Sequence, residues 1–153
     1  MMSTFYVASL AAGEGTFTKP KVVAPGSGYS DAPRLAVSHD GAHYLVYARS
    51  SGGPFDGYQV MYTRSVDGRN FDALRPISTG WPKGLERAAF PSFGIDADGR
   101  LYVVHELIRD YRERPRALGI SISPDSGTTF TALALVPDSR DAVKERTAVI
   151  RNC

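Results

Sequence analysis

Three stretches of the chain are dense in side chains that grip anions or sugars. Residues 49–57 carry Arg49 and Asp56, and residues 79–90 carry Trp81, Lys83, Glu86 and Arg87. Residues 107–117 carry Arg109, Asp110, Tyr111, Arg112, Glu113, Arg114 and Arg116, directly after Glu106. Arginine presents a planar fork of donors that meets a carboxylate bidentately. Arg49, Arg87, Arg109 and Arg146, with Arg34, are therefore candidate clamps for an acidic small-molecule or glycan ligand. Trp81, beside Pro82, offers a face that could stack on a sugar ring or cover a sheet edge. Plainer readings stand beside these. The 109–116 stretch also reads as a solvated, charge-rich loop, and Glu86-Arg87 recurs as Glu145-Arg146, which suits a local ion pair. His39, His43 and His105 lack metal-ligand spacing, so neither a metal nor any other cofactor is expected.

The composition narrows the partners. The chain has 153 residues, 42% hydrophobic and 10% aromatic, which is enough for a packed domain. Its 18 basic and 16 acidic residues leave a net charge of +2, which gives no electrostatic case for nucleic acid. No run of about 18 apolar residues is present, so no membrane span is expected. The apolar stretch 5–12 lacks the basic start of a signal peptide, and the compartment stays open. The sole cysteine, Cys153, has no partner for a disulfide within the chain.

The elements that must position the candidate residues come from an internal repeat. Pro33 and Pro91, Asp40 and Asp98, and Tyr44 and Tyr102 each stand 58 positions apart. Ser65, Asp67 and Gly68 answer to Ser123, Asp125 and Gly127, and Phe71 to Phe130, with the first copy one residue shorter. Stretch 9–17 is a degenerate earlier copy with alanine for the aspartate. Each unit reads as four short strands, at 33–37, 43–48, 58–64 and 74–78, then 91–95, 101–106, 118–122 and 132–136. Asp40-Gly41 and Asp98-Gly99 mark tight hairpins, because glycine accepts the positive φ that such turns demand. Repeated four-stranded antiparallel units predict an all-β chain of propeller blades, with a β-sandwich as the alternative. The units are a half blade at 4–24, blades at 33–78 and 91–136, and a lead-in to a further blade at 137–153.

Ser123-Pro124-Asp125-Ser126-Gly127-Thr128-Thr129-Phe130 resembles the Asp-box, or bacterial neuraminidase repeat, of sialidase-like propellers. The resemblance implies a propeller that is usually six-bladed, with a structural role for both boxes. It also implies what sialidase chemistry would require here. Arginines would hold the substrate carboxylate, Asp110, Asp31 or Asp56 would protonate the leaving group, and Tyr111 activated by Glu106 or Glu86 would be the nucleophile. One departure matters. The family's signature arginine stands two residues before the proline opening a blade, where this chain has Asp31 and Ala89. At about 58 residues per blade, the chain spans roughly 2.6 blades, and six need roughly 350 residues. It is expected to be a segment of a larger propeller, completed by other blades or by self-association. Apolar faces bearing Val60, Tyr62, Leu133 and Leu135 are expected to be exposed. The functions that follow are sialoside-type carbohydrate binding, within or apart from an exo-sialidase. A non-catalytic scaffold module or a truncated fragment is the alternative.

Overall fold

The computed structural model describes residues 5–10, 13, 15–24, 28–50, 58–77, 81–85, 87–108 and 117–140. All regular structure among them is β. A pair of strands, β1 (Phe5–Val7) and β2 (Lys21–Ala24), precedes two four-stranded sheets. The first sheet runs β3 (Tyr29–Val37), β4 (His43–Ser50), β5 (Tyr58–Ser65) and β6 (Arg75–Pro76), each strand beside the next. The second repeats that order with β7 (Arg87–Ile95), β8 (Leu101–Ile108), β9 (Ala117–Ser123) and β10 (Ala134–Leu135). Every pairing is antiparallel.

Strand order therefore follows the repeat, but strand lengths depart from expectation. The first strand of each sheet begins four residues before its proline, at Tyr29 and Arg87, while the last strand shrinks to two residues. Arg75 and Ala134 begin those short edges, which pair only where the chain leaves the preceding turn.

The second strand of the first sheet is buried on both faces. In β4, Tyr44 and Val46 join a cluster with Val60, Tyr62, Leu101, Val103 and Leu107, which is the seam between the two sheets. The alternate residues Leu45 and Tyr47 pack with Met61, Phe5 and Val23, the seam with the N-terminal pair. A strand sandwiched in this way reads as a continuous apolar run. Each fully buried large side chain in these seams contributes about 1.5–3 kcal/mol. The seam also corrects one expectation: Val60, Tyr62 and Leu133 are 0%, 2% and 9% exposed, because the neighbouring sheet covers them. Leu135, at 37%, remains open.

The tight hairpins form at the predicted glycines. Gly41 donates to the Ser38 carbonyl at 3.0 Å and Gly99 to that of Asp96 at 3.1 Å, with φ of 84° and 78°. At the other end of each first strand lies a feature that the sequence does not announce. The register slips between Asp31 and Arg34 and again between Ala89 and Ser92. Within these bulges Ala32 and Phe90 take φ of 52° and 45°. Both residues precede proline, a position that is already restricted, so the strain recurs with the repeat.

Candidate functional site

The bulges lie at the strand ends opposite the tight hairpins, where the long connections join. Here β3 pairs Asp31 with Ala48, and β7 pairs Ala89 with Glu106 and Arg87 with Ile108. Strands β3 and β7 also touch each other across the seam. The two positions that would bear the signature arginine, Asp31 and Ala89, thus stand at matching points of adjacent first strands. Asp31 turns back on its own loop, its Oδ1 accepting from the Ala32 N–H at 2.6 Å.

Glu106 is 3% exposed, an unusual burial for a carboxylate. Arg87 stands one pair further along the same face, a diagonal neighbour within reach of a long side chain. Both are engaged by neighbours. Arg49 is placed elsewhere. It shares the Tyr47 face of β4, toward the N-terminal pair, whereas Arg87 stands opposite Ile108, on the face of its sheet that carries Glu106. Burial pushes the Tyr47 hydroxyl pKa up, and the Arg49 guanidinium offsets part of that rise. Arg49 and Arg87 therefore do not converge on one face. Trp81 packs against the seam cluster, covering apolar surface. Asp56, Glu86, Arg109, Asp110, Tyr111 and Arg146 lie outside the described residues. Of the tyrosine–glutamate pair, only Glu106 is placed.

The two repeated turns use their polar groups locally. Asp67 accepts from the Ser65 hydroxyl at 2.9 Å, the Arg69 and Asn70 amides at 2.8 Å each, and Asn70 Nδ2 at 2.7 Å. Asp125 accepts from the Ser123 hydroxyl at 2.8 Å and from the Thr129 amide and hydroxyl at 2.8 and 2.7 Å. These donors stabilise the ionised form. They hold Asp67 far below the usual carboxylate range and Asp125 down to about 2, with the Asn70 and Thr129 amides as the largest causes. Phe130 meets the Tyr62 ring edge-on at 5.1 Å, so the second turn packs on the first sheet.

The N-terminal pair carries the same closing bonds, in a register shifted from the expected one. Ser9 N–H donates to Thr18 Oγ1 at 2.9 Å, and Thr18 N–H to the Ser9 carbonyl at 2.8 Å. The same two bonds link Ile122 and Thr131. Ser9 thus matches Ile122, the residue before the turn serine, and Leu10 stands in that serine's place.

A buried polar site also escapes the sequence. His105 is 0% exposed, with neither ring nitrogen partnered among the described residues. Burial lowers its pKa from 6.5 to about 4, so the ring is neutral. Ser121, whose hydroxyl is equally unpartnered, sits diagonally across from it. The repeat carried a signal, since His105 occupies the position of Tyr47.

No family model and no curated protein matches the chain. Among solved structures it is similar to one described as Hadza microbial sialidase Hz136, with a TM-score of 0.60 and 18% sequence identity. The match covers 69% of this chain and 25% of that one, so the chain spans a quarter of the sialidase's length. The likeness is one of fold: the paired sheets are sialidase-like.

Proposed function

We propose that the chain is part of a sialidase-like Asp-box propeller whose loop-side strand ends bind an acidic, sialoside-type glycan, without glycosidase turnover of its own. The observation that carries this reading is the repeated bulge on a sialidase-like fold. Beside it lie Asp31 in β3 and Arg87 in β7, with Glu106 in β8 opposite Ala89. Arg87 supplies a fork for a carboxylate. Asp31 and Ala89 in place of the signature arginine weigh against catalysis. Titration with sialyllactose tests the binding: Arg87→Ala is expected to weaken it by about tenfold, and equal affinity in both proteins removes the site. A fluorogenic sialoside is expected to stay intact, whereas turnover lost in Tyr111→Phe would overturn the non-catalytic reading.

Exposed apolar residues favour a second element of the proposal, completion by other blades or by another copy. Tyr6, Val22, Leu35 and Val37 are 63%, 54%, 53% and 48% exposed. Such surface favours association. Light scattering is expected to show mass rising with concentration, and a monodisperse monomer would exclude self-association.

A further inference from the structure

The seam between the N-terminal pair and the first sheet holds a cavity of about 340 Å³ on the side of the repeated turns, away from the loop-side strand ends. Its origin is visible in the repeat. In the first sheet Tyr62 pairs with Arg75, and both reach the turn of the second sheet. In the N-terminal pair the equivalent partners are Val7 and Lys21, facing the turn at Gly68 and Arg69. The equivalence follows from the closing bonds: Val7 lies two residues before Ser9, as Tyr62 lies two before Arg64, and Thr18 N–H meets Ser9 as Asp72 N–H meets Arg64. Valine for tyrosine leaves open the volume that a ring fills at the other seam.

The charge around that volume has one sign. Lys19, Lys21 and Arg69 line it together with the polar Ser9 and Thr18, and no carboxylate belongs to the described lining. None of the three cations has an ion pair among the described residues. The nearest acid in the turn, Asp67, is already occupied by four donors, and the Arg69 contribution comes from its backbone amide rather than its guanidinium. Three like charges around one concavity repel one another and focus a positive potential into it. The volume is in the range of small-ligand sites.

We propose that this cavity is a binding site for a phosphate or sulfate monoester, held by Lys19, Lys21 and Arg69 above the floor that Val7 leaves open. The site is independent of the glycan reading, because it uses the opposite ends of the strands and none of the residues named there. Arg69 meets two oxygens of the tetrahedral anion with its fork, the lysines neutralise the remaining charge, and the hydroxyls of Ser9 and Thr18 face the polar carrier.

Calorimetric titration with inorganic phosphate, inorganic sulfate and glucose 6-sulfate tests this at low ionic strength. Saturable one-site binding by at least one probe is expected, weakening as sodium chloride is added. Arg69→Gln and Lys21→Gln, both surface changes, are each expected to lower affinity by about tenfold or more. Val7→Tyr removes no charge and fills the cavity as Tyr62 fills its own, so it is expected to abolish binding while circular dichroism stays unchanged. Binding by phosphate alone assigns phosphate esters; binding by sulfate and its ester assigns sulfated carriers. No saturation by any probe, or binding unaltered in the Arg69→Gln/Lys21→Gln double variant, overturns the proposal.

Discussion

The Arg75 guanidinium donates to the carbonyl oxygen of Thr128 at 2.7 Å, joining the last strand of the first sheet to the turn of the second. The same group lies over the Tyr62 ring at 5.0 Å and over the Phe130 ring at 5.9 Å. A charge-assisted bond and two ring faces thus fasten the turn to the neighbouring sheet. The repeated turn is consequently an inter-sheet device as well as a local one.

Removing that fastening has a measurable cost. Arg75→Ala is expected to lower stability by about 1–2 kcal/mol, through one charged hydrogen bond and partly exposed cation–ring contacts. Arg75→Lys should recover only part of it, since an ammonium lacks the planar fork. Urea midpoints of the three proteins check the order, and a wild-type midpoint in Arg75→Ala would show that the contact is energetically idle.

Gly127 faces the same ring. A Cβ there would lie 1.7 Å from Tyr62 Oη and 2.6 Å from its Cζ, at a φ of 85°. The side chain must move and the backbone must bear left-handed strain, so Gly127→Ala is expected to cost about 3 kcal/mol or more. Tyr62→Phe withdraws the closest atom and should return part of that loss. A double-mutant cycle on thermal unfolding measures the coupling, and strictly additive effects would argue against the contact.

The repeat made much of this fold legible, because Pro33 and Pro91 or Asp40 and Asp98 fix the period without any knowledge of contacts. What it could not convey is which apolar face is covered. Val60 and Tyr62 look alike whether a neighbouring sheet is present or absent, and only the seam decides. The shift at Ser9 had the same origin: residue type matched the turn serine, whereas backbone bonding puts Leu10 there. The candidate site was legible as residue types alone. Arg49 and Arg87 were grouped by their loops, but strand alternation turns Arg49 toward the N-terminal pair, away from the sheet that holds Arg87. The bulges at Ala32 and Phe90 had no signal, since neither residue type favours positive φ.

Acid should unfold the protein in two separable steps. The first belongs to His105, whose pKa is lowered from 6.5 to about 4 by burial. The unfolded chain takes up this proton before the folded one does. Stability is therefore full above about pH 6.5, falls as pH drops toward about 4, and then levels, a loss on the order of 3 kcal/mol. His105→Leu should flatten this window in urea titrations between pH 7 and 4. An unchanged slope there would mean that the ring protonates without cost.

The second step belongs to the turn aspartates. Asp125 ionises at about 2 in the folded state against an ordinary 3.8, so its contribution is present above about pH 4 and is lost as pH falls toward 2. Asp67, lowered further by its turn donors, acts in the same direction over a window that opens at the same pH and extends lower. Asp125→Asn is expected to shallow the pH dependence between about 4 and 2, leaving the share of Asp67 and the His105 window intact. The same slope in wild type and variant would locate the titration elsewhere.

The bulges allow a test in which glycine should help. Ala32 holds φ at 52° in front of Pro33, a left-handed conformation that costs an L-residue about 1–2 kcal/mol. Glycine adopts it freely but loses more backbone entropy on folding, roughly 0.5–1 kcal/mol relative to alanine. The balance makes Ala32→Gly neutral to stabilising, by up to about 1 kcal/mol. Ala36, in the regular part of the same strand, provides the control. There glycine relieves nothing, and Ala36→Gly is expected to cost about 0.5–1 kcal/mol. Phe90→Gly probes the second bulge, where the side chain is 38% exposed and relief of strain competes with the burial that the ring forfeits. Chemical denaturation of the three variants decides the matter: equal losses at positions 32 and 36 would show that the first bulge stores no strain.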